Sequence, residues 1–220
     1  MNRIERTKLF RNIDIYPVIS SEFCAGRNPV DALKAIADGG AKIVQMREKN
    51  TSDRSLFELG EKFRAVTLQY KMLLIIDDRI DVAAAIDADG VHLGQDDLPL
   101  EAARTVSDNL IVGISTHSFE EAMCAQEAGA DYINIGPIFA TRTKTLSYSP
   151  LGTQIIGEIA PALRIPFTVM GGIKEKHIPE LSALGASRIA MVTEITEAAD
   201  ITDRIKELRK LFLKKDTVIP

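Results

Sequence analysis

EAGADYINIGPIFATRTK, residues 127–144, passes from a helix exit into an apolar strand and out into a polar loop. Gly129 stands where a chain leaves a helix, because glycine tolerates the left-handed conformation that closes a last turn. Tyr132-Ile133-Asn134-Ile135 then reads as a short strand, and the loop after Gly136 carries two threonines and a lysine. The same passage from glycine exit to strand recurs as ADGGAKIVQM, DADGVHLG and ALGASRIAMV, a diffuse internal repeat. Runs rich in Val, Ile and Leu stand at 13–19, 42–47, 73–77, 90–93, 110–115, 132–136, 167–170 and 188–192. Most are nearly continuous apolar runs, as parallel strands covered by helices require. Eight strands with a crossover after each, in a chain of 220 residues, fit an α/β fold, a (β/α)8 TIM barrel. An open doubly wound sheet is the weaker fit. No linker or low-complexity segment divides the chain, so residues 1–220 read as a single domain. A short polar N-terminal extension covers about 1–12 and a C-terminal tail about 214–220.

Helical periodicity fills the intervals. Leu56, Leu59, Phe63 and Val66 step by three and four, as do Ile201, Ile205, Leu208 and Phe212. SLFE at 55–58 and SFEE at 118–121 match the capping-box pattern of helix starts.

Composition narrows the partners. A formal charge of −4 and the absence of Trp give no basic footprint for nucleic acid, so any anion site has to be built locally. Cys24 and Cys124 are too few for a disulfide framework or a CxxC metal site. MNRIERTKLFRN lacks the apolar centre of a signal peptide, and no apolar run approaches the roughly 20 residues that span a bilayer. A soluble cytoplasmic protein is expected, without a membrane partner and compatible with a homo-oligomer.

In a barrel of this kind function collects at the C-terminal strand ends, and the unusual clusters fall there. In QMREK, residues 45–49, strand alternation sends Gln45, Arg47 and Lys49 to one side, towards the mouth. Arg suits bidentate contact with phosphate and Lys is a compact point charge. A solvated charge run is the alternative. Asp77-Asp78-Arg79 and Gly94-Gln95-Asp96-Asp97 end the third and fourth strands. Carboxylates from neighbouring strands can share Mg²⁺, although helix-capping aspartates would look the same. His92 is a candidate general base, but a hydrogen-bonded core histidine is the better reading. His117 reads as a turn residue and His177 as solvated. No Cys/His pair or GxSxG motif supports nucleophilic catalysis.

Gly171-Gly172-Ile173 and Val192-Thr193 follow the seventh and eighth strands, where turn amides and helix N-termini bind phosphate. Plain turns without a ligand are the alternative. Two anion sites emerge. One gathers Arg47, Lys49, Lys144 and a carboxylate-bound cation, as a diphosphate needs. The other is built of amides at Gly172 and Thr193, as a monophosphate needs. Two phosphorylated substrates meeting in one mouth suggest a transferase that expels pyrophosphate.

QMREK, ADGVHLGQDDLP, VGIST, GADYINIGPIFATRTK and the GGI and MVT turns together resemble the thiamine phosphate synthase (thiamine-phosphate pyrophosphorylase) family, from about residue 15 to 195. The resemblance implies a (β/α)8 barrel joining 4-amino-2-methyl-5-hydroxymethylpyrimidine diphosphate to 4-methyl-5-(2-hydroxyethyl)thiazole phosphate, with thiamine phosphate and pyrophosphate as products. It implies that Gln45, Arg47, Lys49, Ser115 and Lys144 hold the pyrimidine diphosphate, the last four as the catalytic set. It implies Asp78 and Asp97 as ligands of a Mg²⁺ cofactor, and Thr141, Thr143, Gly172, Val192 and Thr193 around the thiazole phosphate. Glu48, Asp77 and Arg142, inside the same motifs, join the substrate-contacting set. The implied route is dissociative: pyrophosphate leaves first and the thiazole nitrogen captures the pyrimidinylmethyl cation.

The chain departs from the family pattern twice, with Asp77 where Asn is usual and Thr193 where Ser is usual. An ionised Asp77 can only accept hydrogen bonds, so near a polyanion it needs a proton, Mg²⁺ or a cation such as Arg79. Two rivals remain. A thiazole tautomerase usually has His where this chain has Pro137 and lacks the QxRxK and GQxD clusters. A non-catalytic barrel that binds thiamine precursors is suggested only by Asp77. The synthase is preferred.

Overall fold

The computed structural model describes residues 1–143 and 149–213, so Lys144 and the tail at 214–220 lie outside it. Eight parallel strands close into a barrel in chain order. They are β1 (Ile15–Ile19), β2 (Ile43–Met46), β3 (Leu73–Asp77), β4 (Gly90–Leu93), β5 (Ile111–Thr116), β6 (Tyr132–Ile135), β7 (Phe167–Val169) and β8 (Ile189–Met191). Every expected strand is present, with ends displaced by no more than about two residues. Helix α1 (Arg3–Arg11) precedes the barrel. The crossovers carry α2 (Pro29–Asp38), α3 (Asp53–Tyr70), α4 (Ile80–Ala85), α5 (Leu100–Val106), α6 (Phe119–Glu127), α7 (Gln154–Ile159) and α8 (Ile178–Ala183). After β8 come the short α9 (Thr193–Thr196) and α10 (Ile201–Leu213).

Alternation along the strands sorts the core into two layers. Val44, Met46, Leu74, Ile76, Val91, Val112, Ile133 and Val169 face the helices. Tyr16, Val18, Ile43, Leu73, Ile75, Ile111, Tyr132 and Ala190 fill the barrel itself. Continuing the same inward register upward reaches Gln45 above Ile43, Asp77 above Ile75 and Ser115 above Ile111, which is how apolar strands deliver polar groups to the mouth. Gly113 is required by this packing. A Cβ there would lie 2.0 Å from the Tyr132 ring, so glycine makes the room that the tyrosine occupies.

The first residues are not a loose extension. α1 lies across the bottom of the barrel, with the Phe10 ring stacked on Tyr132 at 4.1 Å between centroids. Arg6, 3 % exposed, bonds the fully buried Asp89 at 3.1 Å and the Asn109 carbonyl at 2.7 Å. Asp89 also accepts from Arg64 and from the Leu74 amide, so a buried charge is paired on every side. The helix buries one arginine and one phenylalanine and little else. Such a helix leaves no apolar stripe to read.

The caps differ from expectation at both helices. α3 starts three residues earlier than SLFE suggested, with Ser52 accepting from the Ser55 amide. At α6 Ser118 caps as expected, but the Glu121 carboxylate accepts from the His117 amide rather than from that of Ser118.

Candidate active site

The ends of β2 to β5 build the first of two adjoining cavities, with an open volume of ≈ 680 Å³. Gln45, Arg47 and Lys49 all line it, as alternation required. Asp77, at the tip of β3, is the carboxyl group they surround: its Oδ2 lies 2.9 Å from Lys49 Nζ and 3.4 Å from Arg47 Nε. Lys49 also meets Asp78. Asp78 takes φ +59°, a left-handed conformation that Asp tolerates better than most residues. Asp97 receives the Gly94 amide at 2.7 Å and rests against Asp78. Ser115 Oγ, from β5, is 2.9 Å from His92 Nε2.

The electrostatics of this cavity are crowded. Burial pushes the Asp77 carboxyl above its ordinary range, and the Lys49 and Arg47 cations only partly offset it. Asp97 is pushed up by burial and then by the neighbouring Asp78. Lys49 is held above its usual value: burial opposes its charge, but Asp77 and Asp78 outweigh burial. Arg79 does not take part. It pairs with Asp53 and Asp81, so the cations that compensate Asp77 are Lys49 and Arg47 instead.

The second cavity, ≈ 870 Å³, opens between β1 and the ends of β6 to β8 and contains Thr141, Thr143, Gly172, Val192 and Thr193. Gly171 and Gly172 have φ +100° and +62°. A Cβ on Gly172 would come 2.2 Å from the Ala140 carbonyl, so the turn is folded directly on the preceding loop. Among the described residues the amides of Gly172 and Thr193 have no hydrogen-bond acceptor. They border the cavity at the turn after β7 and at the start of α9. The Thr141 and Thr143 hydroxyls lie 3.0 Å apart on its other side. Arg47, Ser115 and Met170 line both cavities and form the wall between them.

Not every candidate reaches the mouth. Glu48 points the other way and accepts from the Ser21 amide and hydroxyl at 2.8 and 2.7 Å. Arg142 is 70 % exposed and pairs with Glu197 outside both cavities. Lys144 lies outside the described residues. Conversely, Ser20, His117, Asn134 and Glu194 line the second cavity and had not been singled out as contacts. Asn134 was findable, since alternation within YINI turns it inward above Tyr132. His117 is more than a turn residue, because its ring bonds Glu121 at 2.9 Å while bordering the cavity. His177 stacks on Phe139 at 4.0 Å and so is not simply solvated. Glu194, a carboxylate on the wall of the second cavity, is neutralised locally. Burial pushes its pKa up, but bonds from Lys174 and Arg204 bring it below the ordinary range.

Residues 15–195 match the family model described as thiamine monophosphate synthase. A thiamine-phosphate synthase of Pelotomaculum thermopropionicum is 41 % identical over 204 residues, covering 92 % of this chain and 94 % of that protein. One of Dictyoglomus thermophilum is 39 % identical over 213 residues, 96 % of each. Among solved structures, a thiamine phosphate pyrophosphorylase from Pyrococcus furiosus superposes with a TM-score of 0.86 at 34 % identity, over 96 % of this chain and 98 % of that one. Among the described residues no helix is long and apolar enough to cross a membrane.

Proposed function

We infer, since this chain belongs to the thiamine monophosphate synthase family, that its barrel mouth couples the pyrimidine diphosphate to the thiazole phosphate with release of pyrophosphate. The protein is a transferase. The observation that carries the division of labour is the pair of adjoining cavities, one walled by Arg and Lys and one by loop amides and hydroxyls. In the first, Arg47, Lys49 and Ser115 are placed to bind a diphosphate and to hold its charge as it departs. Donors fixed before reaction stabilise a leaving anion without having to reorganise, which is where their rate advantage comes from. In the second, the amides of Gly172 and Thr193 with Thr141 and Thr143 suit a monophosphate. The shared wall at Ser115 and Met170 then sets the thiazole beside the carbon that loses pyrophosphate, so capture needs no diffusion. Charge stabilisation of the leaving group by Arg47 and Lys49 asks for no protein nucleophile, which suits a dissociative route.

Asp78 and Asp97 suit Mg²⁺. They are hard oxygen donors from adjacent strand ends; burial and then the contact with Asp78 raise the Asp97 pKa, and a cation between them would relieve that repulsion. When bound, magnesium would neutralise part of the diphosphate charge. The test is purified protein with both precursors and Mg²⁺, with thiamine phosphate measured against a control lacking the thiazole. Release of pyrophosphate without coupled product, or product formed without the diphosphate, would overturn the reading.

A further inference from the structure

Inside the barrel a line of polar side chains runs between the two walls of the diphosphate cavity. Gln45 Nε2 donates to the Tyr16 hydroxyl at 3.2 Å, and that hydroxyl lies 3.2 Å from the hydroxyl of Tyr132. The Tyr132 hydroxyl is 3.1 Å from His92 Nδ1, and His92 Nε2 is 2.9 Å from Ser115 Oγ. Five strands contribute one residue each, and Gln45 and Ser115 both surface at the mouth.

We propose that His92 is a positioning residue that presents Ser115 to the diphosphate as a hydrogen-bond donor, with its tautomer set by Tyr132, Tyr16 and Gln45. The proposal rests on the reading of Ser115 given above. Counting hydrogens fixes the direction. The Gln45 amide nitrogen can only donate, so Tyr16 accepts from it. Burial pushes both phenols well above their ordinary pKa, so each keeps its one proton. Tyr16 spends that proton on Tyr132, and Tyr132 spends its own on His92 Nδ1. A neutral imidazole has one N–H, which is then on Nε2 and donates to Ser115 Oγ. The serine hydrogen is left for an acceptor in the mouth. With the opposite polarity Ser115 would donate inward to His92 and offer only lone pairs to phosphate oxygens. Turning the Gln45 amide over is what would produce that reversal, so a residue at one wall sets the chemistry of the other.

The test uses the full chain. Nitrogen-15 NMR of protein labelled at histidine reads the tautomer directly, and only three histidines need assigning. The expected result is Nε2–H with an unprotonated Nδ1 at His92, changing towards a mixture in Tyr132→Phe. A proton on Nδ1 in the parent protein overturns the proposal. Kinetics supply the second reading. His92→Gln, whose amide nitrogen falls near the Nε2 place, should keep kcat within about threefold. His92→Asn, whose nitrogen falls near Nδ1, should lower kcat by roughly 10- to 100-fold with KM little changed, the range for a bond to a charged acceptor. In a Ser115→Ala background the same His92→Asn change should cost less than about twofold, because its partner is already gone. A full loss there shows that His92 acts otherwise, and the inference falls. A Ser115→Ala variant with unchanged kcat removes instead the placement of Ser115 on the diphosphate. If His92→Asn does not fold, Tyr132→Phe, which keeps the ring on Phe10, gives the same reading, and an unaltered tautomer in it refutes the relay.

Discussion

Replacing Asp77 with Asn tests the electrostatic logic of the mouth. The carboxylate is 9 % exposed and sits between Arg47 and Lys49, the two cations proposed above to hold the diphosphate. Lys49 Nζ is 2.9 Å from Asp77 Oδ2. A phosphate oxygen accepting from the same ammonium at a similar distance lies within roughly 6 Å of that carboxylate, where two like charges at an effective dielectric of about 20 repel by about 3 kcal/mol. Lys49 is 41 % exposed, so solvent and salt screen the interaction, and about 1 kcal/mol is the realistic remainder. Asp77→Asn should therefore lower KM for the pyrimidine diphosphate by about fivefold and reduce the Mg²⁺ needed for half-maximal rate. Stability should move in the same direction. Burial raises the folded pKa of Asp77 above its unfolded value, so between those two values native Asp77 still holds a proton that the unfolded chain has lost. Stability of the parent then falls as pH rises from about 3.9 through the folded pKa. The Asn variant lacks this loss, and its advantage should be absent at low pH and complete above that window. Steady-state kinetics across a Mg²⁺ titration, with melting curves from acid to neutral pH, measure both effects. An Asn variant that is slower at every Mg²⁺ concentration, with no gain in stability at the high-pH end of the curves, would show that the carboxylate is an adapted part of the site.

Gly172→Ala should raise KM for the thiazole phosphate at least about tenfold and cost roughly 1–3 kcal/mol of stability, since it combines a φ of +62° with a Cβ 2.2 Å from the Ala140 carbonyl. An unchanged KM with the fold intact would remove the turn from the phosphate site. Asp78→Ala and Asp97→Ala should each lower turnover about 100-fold with the barrel folded, and undiminished coupling in EDTA would refute the metal role. Because Asp97 is raised by burial and Asp78, protons should begin to compete with Mg²⁺ above the ordinary Asp pKa of about 3.9. The Mg²⁺ half-saturation concentration should accordingly climb as pH falls through that higher value, and a pH-independent concentration would count against the pair. Lys144→Ala should lower kcat for pyrophosphate departure more than it raises KM for the thiazole phosphate, and a change in that KM alone would assign Lys144 to the other anion.

How much of this was legible follows from which physical signals lie along the chain and which lie across it. The strands were readable because a parallel strand is buried on both faces, so Ile43-Val44 and Leu73-Leu74-Ile75-Ile76 appear as uninterrupted apolar runs. Period two then placed Gln45, Arg47 and Lys49 at the mouth, and the same rule, applied strictly, turns Glu48 away, as is found. What failed to show was set by partners distant in sequence. Arg79 looked like the neighbour of Asp77, but it sits at the N-cap of α4, where Asp53 and Asp81 are closer to hand. α1 escaped notice because its burial is carried by an ion pair 83 residues away and by one aromatic stack. The polar line from Gln45 to Ser115 is the extreme case. Tyr16, His92 and Tyr132 each read alone as an inward core residue of an apolar strand, with no feature to distinguish relay from packing. Only barrel closure, with Gly113 leaving room for Tyr132, brings the three hydroxyl and imidazole groups within hydrogen-bond distance. A strand-by-strand reading thus finds the groups that line the mouth. The groups that decide how those present their hydrogens emerge only from contacts across the barrel.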